Sequence, residues 1–347
     1  MIQNSWMSDY RDSIKDQSIL ESLLSTTLDK TPYPILIPKH IAQKIKDDGL
    51  DSPLAKQFIP SRLENDREAG LIDPIGDQKF EKPGGIIHRY KNRILYSPTT
   101  ICPINCRYCF RKNELFENLD TFKASLKELE SYLQTHIEVE EVILTGGDPL
   151  ILSNKKLKEI LTTLATFKHI KYVRIHSRTP IILPARMDEE LLELFKGFEN
   201  NFDTISIAIH VNHESEISEE FEKNIIPFQR FNLLSQSVLL KGVNDNIESL
   251  VNLYKRINKL KIKPYYLHHP DLVKGAMHFY IPLELGRKIY GTLRDELPGW
   301  LIPHYIIDSS LGTGKNLAYN SESLVPTGKI LDRFGQTHSI DIQKIVD

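Results

Sequence analysis

The stretch Cys102-Pro-Ile-Asn-Cys106-Arg-Tyr-Cys109-Phe-Arg111 contains the only three cysteines of the 347-residue chain. Their spacing is C-x3-C-x2-C, so three thiolates fall on one short segment, called here the cysteine loop (residues 102–109). Iron–sulfur clusters are held by cysteine thiolates, and three of them can bind three irons of a [4Fe–4S] cluster. The fourth iron then lacks a protein ligand and is open to a small molecule. The stretch therefore predicts that Cys102, Cys106 and Cys109 hold a [4Fe–4S] cluster.

Two other uses of the cysteines fit less well. A zinc site normally has four ligands in two separated pairs. A disulfide framework is typical of small secreted chains, and three is an odd number of cysteines. A chance spacing is the remaining alternative.

The overall composition limits the function classes. The chain has 44 basic and 46 acidic residues, so its bulk charge indicates neither a nucleic-acid partner nor an anionic membrane surface. Residues 1–13 are polar and lack an apolar signal region. No apolar run approaches the roughly 20 residues that a membrane span needs. We therefore predict a cytoplasmic location, where thiols stay reduced.

From residue 86 onward, short β-rich runs alternate with longer helical patterns. Strands are predicted at 93–100, 141–145, 172–176, 203–209, 233–239 and 264–268. Amphipathic helices are predicted near 121–136, 154–167, 188–197, 217–230, 247–260 and 282–296. Such alternation indicates βαβ units with a parallel sheet. Six units favour an α/β fold with an open (β/α)6 arc, a partial TIM-like barrel; a doubly wound sheet is the alternative.

Three regions are predicted, at residues 1–82, 83–300 and 301–347. The first is a helical extension, with helices predicted at 11–29, around 38–47 and near 60–64. A flexible extension is the alternative for this region. The second region is the barrel core. The third contains a glycine-rich loop and a β-rich piece near 329–341.

Polar residues follow each predicted strand. In barrels of parallel strands, functional residues gather at the carboxyl ends of the strands. After the cysteine loop, the polar groups are at 146–149, 176–179, 210–213, 235–237 with 244–245, and 268–271. Any one of them could be an ordinary turn. Six in succession favour a shared site at one end of the barrel.

Gly146-Gly147-Asp148-Pro149 follows the second predicted strand. Together with the cysteine spacing, it resembles the radical S-adenosylmethionine (SAM) superfamily. In that superfamily the open iron binds SAM, and an aromatic residue commonly precedes the third cysteine, as Tyr108 does here. The resemblance implies that Gly146, Gly147 and Asp148 contact SAM. Glycine suits a close approach of the backbone because it has no Cβ.

Further stretches resemble the lysine 2,3-aminomutase family over about residues 35 to 320. They occur in the family's order, at Pro83–Arg93, Arg178–Pro180, Gln236–Asp245, Pro264–Tyr266 and Asp271–Phe279. The resemblance implies a radical SAM fold and an isomerase that uses SAM, a [4Fe–4S] cluster and pyridoxal 5′-phosphate (PLP). Members of the family move the α-amino group of an amino acid to Cβ by radical chemistry.

The resemblance also gives a role to the segment Asp308–Lys315, called here the lysine loop. The family has an Asp-x6-Lys pattern in a glycine-rich loop after the barrel, and Lys315 matches its PLP lysine. A lysine amine can form a Schiff base with an aldehyde. A phosphate-binding P-loop is a poor alternative, because Asn316 follows Lys315 where that motif needs Ser or Thr.

Five further residues are predicted to contact cofactors. Arg89, Tyr90 and Arg93 match positions near PLP, and arginine suits its phosphate. The alternative for these three is a polar strand edge. Arg178 and Gln236 are candidates for contacts with PLP or SAM.

The substrate predictions rest on charge. Arg111 matches the family's arginine for the substrate carboxylate, which suits a bidentate guanidinium. Asp271 and Asp308 match the two aspartates that bind the distal ammonium in lysine-specific members; alone, each could be a turn or cap residue. Two distal carboxylates favour lysine over glutamate, whereas arginine stays open.

The sequence therefore predicts an aminomutase that converts L-lysine to β-lysine. Four alternatives stay open: the branch that makes (R)-β-lysine for elongation factor P, an aminomutase for another amino acid such as arginine, a radical SAM enzyme without PLP, and a non-enzymatic cluster protein. We expect an electron donor such as a flavodoxin or ferredoxin, and a homo-oligomer is an open option. We expect no structural zinc, because no cysteine is left over.

Overall fold

The structure is a computed structural model that describes residues 5–116, 124–319, 329–331 and 337–339. Its centre is a ten-stranded sheet in which the strands pair in sequence order. The strands are β1 (Glu81–Lys82), β2 (Ile86–Tyr90), β3 (Arg93–Thr99), β4 (Glu141–Gly146), β5 (Tyr172–Ser177), β6 (Thr204–His210), β7 (Asn232–Val238), β8 (Lys263–His268), β9 (His304–Ile307) and β10 (Asn316–Leu317). A separate antiparallel pair is formed by β11 (Lys329–Leu331) and β12 (Thr337–Ser339).

The parallel part of the sheet runs from β3 to β9. All six predicted strands are present, so the predicted α/β class is confirmed. The number of parallel strands is seven rather than six, because β9 joins β8 in parallel. From the sequence, no strand was predicted at residues 304–307, and they were assigned to the C-terminal region. In the described part of the chain, the sheet order shows no pairing between β1 and β10.

Antiparallel strands border the parallel part on both sides. On one side β1, β2 and β3 pair antiparallel, and on the other β10 pairs antiparallel with β9. The hairpin of β2 and β3 was not predicted. It brings Arg89 and Tyr90 beside the first parallel strand, and the β9–β10 pair brackets the lysine loop.

The helices of the described residues surround this sheet. They are α1 (Ser5–Arg11), α2 (Gln17–Leu24), α3 (Lys39–Asp48), α4 (Pro53–Phe58), α5 (Lys112–Phe116), α6 (Leu126–Thr135), α7 (Asn154–Ala165), α8 (Thr179–Ile182), α9 (Glu189–Lys196), α10 (Glu219–Ile225), α11 (Ile247–Lys259) and α12 (Leu283–Glu296). None of these helices has the length and hydrophobicity that a membrane crossing requires.

The six predicted amphipathic helices correspond to α6, α7, α9, α10, α11 and α12. The first five begin at a side chain that accepts a backbone N–H of the first turn, a preferred helix start: Ser125, Ser153, Asp188, Ser218 and Asn246. The predicted helix at 121–136 begins at Leu126, and part of its predicted start lies outside the described residues. The predicted helix at 217–230 ends at Ile225, and a 3₁₀ helix follows with Pro227 in its first turn.

The N-terminal region packs on the barrel instead of extending away from it. Helix α3 confirms the prediction around 38–47, and the piece near 60–64 is one 3₁₀ turn at Arg62–Asn65. The predicted helix at 11–29 is wrong at both ends, because Arg11 is the last residue of α1 and the only further helix in this range is Gln17–Leu24. Ile14 instead exchanges backbone hydrogen bonds with Ile37, at 2.7 and 3.0 Å. Most of the buried apolar residues of this region belong to the same core as those of the barrel.

Helix α12 packs closely against the seventh parallel strand. A Cβ added at Gly286 would lie 2.0 Å from the Tyr305 hydroxyl oxygen. Tyr305 cannot easily move away, since it is buried, its hydroxyl contacts His269 at 2.7 Å and its ring stacks on Tyr290. At Gly291 of the same helix, the nearest atom to an added Cβ is 3.8 Å away.

This difference predicts opposite effects of two alanines in one helix. Gly286→Ala should lower the free energy of unfolding by about 1–3 kcal/mol through overpacking. Gly291→Ala should raise it by up to about 1 kcal/mol, because alanine is the better helix former. Urea unfolding of both variants measures this. Equal effects of the two substitutions would contradict the packing of α12 on β9.

Candidate active site

A cavity of about 700 Å³ occupies the inside of the barrel. Six of the parallel strands, β3 to β8, contribute side chains to its wall. All fifteen residues that the sequence analysis singled out line it: Arg89, Tyr90, Arg93, Cys102, Cys106, Cys109, Arg111, Gly146, Gly147, Asp148, Arg178, Gln236, Asp271, Asp308 and Lys315. Residues that are far apart in the sequence therefore line one cavity.

The cysteine loop closes part of this cavity. Its three cysteines form no disulfide. Burial raises the pKa of Cys102 well above its usual range and raises that of Cys109 to about 12, and neighbouring cysteines add to both shifts. The thiols are thus close enough for one negative charge to oppose the next. A bound cation removes this penalty, because metal-bound thiols lose their protons.

A single metal ion and a four-iron cluster place different demands on the cysteines. Among the residues that the structure describes, no three His, Cys, Asp or Glu side chains form a group that could hold one metal ion. A four-iron cluster makes a different demand, since each thiolate binds its own iron.

Buried charges support the cysteine loop from the N-terminal region. Glu64 accepts hydrogen bonds from Nε and Nη2 of Arg107 at 2.8 and 2.7 Å, and from Nζ of Lys112 at 3.0 Å. The Lys112 ammonium also lies 3.7 Å from the centre of the Tyr33 ring. Sequence reasoning missed this group. Its one local signal is a charged residue, Arg107, between two cluster cysteines.

The glycines after β4 allow a close backbone approach to the start of the cysteine loop. Gly147 N–H donates to the Thr99 carbonyl at 2.8 Å, and a Cβ on Gly147 would lie 2.3 Å from the Ile101 carbonyl oxygen. Gly146 has a φ of 102°, which favours glycine. The Gly146-Gly147 pair thus rests on the segment that leads into Cys102.

Asp148 and Arg178 link neighbouring strand ends. The Asp148 carboxylate accepts the backbone N–H groups of Arg178 and Thr179 at 2.6 and 2.9 Å. The Arg178 guanidinium donates to Cys106 Sγ at 3.1 Å and to the buried Glu216 carboxylate at 2.5 Å. Hydrogen bonds to cysteine sulfur are one way in which proteins tune iron–sulfur clusters. Glu216 was not singled out from the sequence.

Lys315 extends its amine into the cavity from the lysine loop. Its Nζ is 2.9 Å from an Asp308 oxygen, and its backbone N–H donates to the Tyr90 hydroxyl at 2.7 Å. The Arg93 guanidinium lies over the Tyr90 ring, 3.7 Å from its centre. Tyr90 therefore connects the β2–β3 hairpin to the lysine loop. An amine in such a cavity fits the aldehyde of PLP.

The two acidic residues predicted for the substrate differ in charge. Burial, followed by the nearby Asp308, raises the pKa of Asp271 to about 8. Burial also raises the pKa of Asp308, but Lys315 opposes this and the net pKa is lowered. Burial and then Lys315 lower the pKa of His268 to about 3, so this histidine is neutral at pH 7. The negative charge therefore resides on Asp308, whereas Asp271 is near its ionisation point.

Arg89 and Arg111 share one carboxylate. Asp77 places one oxygen 2.5 Å from Nη2 of Arg89 and the other 2.5 Å from Nη2 of Arg111. Arg111 also donates to Glu114 at 3.3 Å, and burial raises the pKa of Glu114 to about 7. Sequence reasoning missed Asp77 and Glu114, because no local pattern marks them as partners of these arginines.

Two histidines that the sequence left aside differ in their surroundings. His210 lines the cavity, and its Nε2 is 2.7 Å from the Tyr108 hydroxyl. His213 caps the one-turn 3₁₀ helix Glu214–Glu216, with Nδ1 accepting the Ser215 N–H at 3.1 Å. His213 thus has a structural contact.

Comparisons with known proteins agree with this geometry. Residues 96–254 match the Radical SAM superfamily. The chain is 34% identical over 315 residues to the L-lysine 2,3-aminomutase of Escherichia coli, covering 87% of this chain and 90% of that protein. It is 32% identical to the enzyme of that name from Haemophilus influenzae, covering 87% and 91%. It is 31% identical to the Clostridium subterminale enzyme of the same name, covering 87% and 71%.

The fold, the cysteine loop and the superfamily match define a radical SAM enzyme. More closely, the chain belongs to the lysine 2,3-aminomutase family of isomerases. This confirms the family predicted from the sequence. Membership implies a [4Fe–4S] cluster, SAM and PLP as cofactors, and the cysteine loop, the Gly146-Gly147 pair and Lys315 offer groups that fit each of them.

The glycine contact predicts a specific defect. Gly147→Ala should lower the iron and sulfide content after anaerobic reconstitution several-fold, because the added Cβ displaces the segment leading into Cys102. Iron and sulfide analysis measures this, with Gly299→Ala as control, since no atom lies within 4 Å of a Cβ there. Full cluster content in Gly147→Ala would show that the contact is dispensable.

Proposed function

We propose that this chain is a PLP-dependent radical SAM aminomutase that converts L-lysine to β-lysine. The observation that carries the proposal is the charge arrangement of one cavity. A buried arginine, Arg111, lies among its walls together with two acidic residues, Asp271 and Asp308, and the lysine amine of Lys315. The name of the two relatives from Escherichia coli and Haemophilus influenzae, L-lysine 2,3-aminomutase, supports the same substrate.

Each part of the substrate has a matching group in the chain. Arg111 binds the α-carboxylate through its planar guanidinium. Asp271 and Asp308 bind the distal ammonium. Fixing both ends of the amino acid positions its Cα and Cβ, and enclosure in the cavity excludes water from a reactive radical.

The cofactors occupy the remaining groups. When bound, the cluster and SAM would supply the radical. PLP would supply a π-system that stabilises the radical while the amino group moves. Cys102, Cys106 and Cys109 hold the cluster, and Gly146, Gly147 and Asp148 adjoin SAM. Lys315 attaches PLP through its amine, while Arg89, Tyr90 and Arg93 bind the cofactor from the β2–β3 hairpin. Arg178 and Gln236 contact SAM or PLP.

The pairing of Lys315 with Asp308 supports a cationic substrate. Their ion pair spans 2.9 Å between Nζ and a carboxylate oxygen. When the Lys315 amine is used for the cofactor, Asp308 loses its nearest cation and keeps the Arg89 guanidinium at 3.7 Å, and a buried carboxylate with weaker pairing is less favourable. The distal ammonium of lysine can then replace it. That second cation also favours the ionised form of Asp271.

We also propose where the enzyme acts, what reduces its cluster and how the chain is organised. The enzyme acts in the cytoplasm and receives its electron from a donor such as a flavodoxin or ferredoxin. The chain is organised as an N-terminal extension (residues 1–82), a barrel core (83–300) and a C-terminal region with the lysine loop (301–347). A homo-oligomer stays an open option for this chain.

The proposal predicts which amino acid is converted. The chain is reconstituted anaerobically, supplied with SAM, PLP and dithionite, and offered L-lysine, L-arginine or L-glutamate separately. β-Lysine should form, with no β-amino acid from glutamate, and both Asp271→Asn and Asp308→Asn should reduce the rate by at least about 100-fold, since each loses a charged partner of the ammonium. Cleavage of SAM without any β-amino acid would refute the aminomutase assignment but keep the radical chemistry.

A second prediction concerns Lys315. Lys315→Ala should abolish turnover and leave the electron paramagnetic resonance signal of the reduced cluster intact, because the cysteine loop is unchanged. Borohydride reduction of the PLP-loaded wild type, followed by mass spectrometry, should find the phosphopyridoxyl group on Lys315. Lys263→Ala is the matched control, since Lys263 lines the same cavity from the start of β8. Full aminomutase activity in Lys315→Ala would show that PLP is held elsewhere.

A further inference from the structure

We propose that Asp77 is a positioning residue that fixes the spacing of the Arg89 and Arg111 side chains. PLP and the substrate carboxylate then bind at a defined distance from each other. The inference rests on the proposed function, in which Arg89 faces PLP and Arg111 binds the substrate. Asp77 itself contacts the two arginines and acts through them.

The Asp77 carboxylate contacts both arginines, each through a different oxygen. Its Oδ1 is 2.5 Å from Arg89 Nη2 and its Oδ2 is 2.5 Å from Arg111 Nη2. The two oxygens of a carboxylate are a fixed distance apart, so these contacts set the spacing of the two guanidinium groups. The side chains of Asp77, Arg89 and Arg111 are 4%, 7% and 3% exposed. Little water is therefore present to screen the repulsion between the two arginines. Asp77 replaces that repulsion with two attractive contacts.

The backbone around Asp77 is itself anchored. Asp73 accepts the Asp77 N–H through its carboxylate at 3.0 Å. Gly76 has a φ of 68°, and a Cβ there would lie 2.6 Å from the Ser310 carbonyl oxygen. The segment therefore rests directly on the lysine loop, which leads to Lys315. The position of Asp77 is thus fixed relative to the proposed PLP lysine as well as to both arginines.

A different role for Asp77 would be competition. Its carboxylate could occupy Arg111 in place of the substrate carboxylate and leave when the substrate arrives. Two observations favour positioning: Asp77 bridges to a second arginine, and its backbone is anchored. The two roles predict opposite changes in substrate affinity, so they can be separated.

The test uses two substitutions in the full chain, loaded with cluster and PLP. Asp77→Asn keeps the shape, but its amide nitrogen cannot accept a hydrogen bond from the second arginine. It should raise the KM for lysine and the Kd for PLP at least tenfold each, with a smaller change in kcat. Asp77→Glu keeps both oxygens on one carbon and should recover part of both affinities. Asp66→Asn is the control, because Asp66 is exposed and lies outside the site.

Three further measurements make the result decisive. Urea unfolding and the electron paramagnetic resonance signal of the reduced cluster distinguish a misfolded variant from a folded one with misplaced arginines. If Asp77→Asn does not fold, Asp77→Glu provides the test. A lower or unchanged KM with unchanged PLP affinity in Asp77→Asn would overturn the positioning role, and so would a lower KM for lysine in Asp77→Glu. The Kd for PLP is measured without turnover. An inactive wild type with weaker PLP binding in Asp77→Asn would therefore reject the proposed function and retain the inference.

Discussion

The structure depends on pairing charges that are buried around one cavity. A buried charge that loses its partner costs about 3–5 kcal/mol. Such pairs around the cavity and the cysteine loop include Glu64–Arg107, Asp77–Arg89, Asp77–Arg111 and Glu216–Arg178, and the partly exposed pairs Glu141–Arg174 and Asp308–Lys315. Most of them join elements that are distant in the sequence. The pairs therefore fix the relative positions of the hairpin, the cysteine loop, the barrel and the lysine loop as well as neutralising charge.

This constraint explains why the N-terminal region is part of the site. It supplies Glu64 to Arg107, Asp77 to Arg89 and Arg111, and the Gln57 side chain to Arg178 at 2.8 Å. Most of its buried apolar residues share the core of the barrel. A barrel without this region would retain the cationic side chains of the cavity and lose the groups that orient them.

The sequence predicted features that depend on local pattern. Six strands and six helices follow from periodicity, the cysteine loop follows from motif spacing, and the roles of the Gly146-Gly147 pair and Lys315 follow from the family resemblance. Features set by distant partners were missed. β9 is only four residues long and is defined by its pairing with β8. Ile14 fits a helical stripe but pairs with Ile37, and no residue near Asp77 indicates that two arginines will meet it.

The charge balance of the cavity bears on substrate choice under the proposed function. In the chain alone, Lys315 neutralises Asp308, and Asp271 has a pKa of about 8. Use of the Lys315 amine for PLP leaves two acidic groups without that cation. A glutamate substrate would add a third carboxyl group beside them, which their mutual repulsion opposes. A lysine ammonium instead neutralises one group and lowers the pKa of the other, so the cavity reaches its best balance with a cationic amino acid bound.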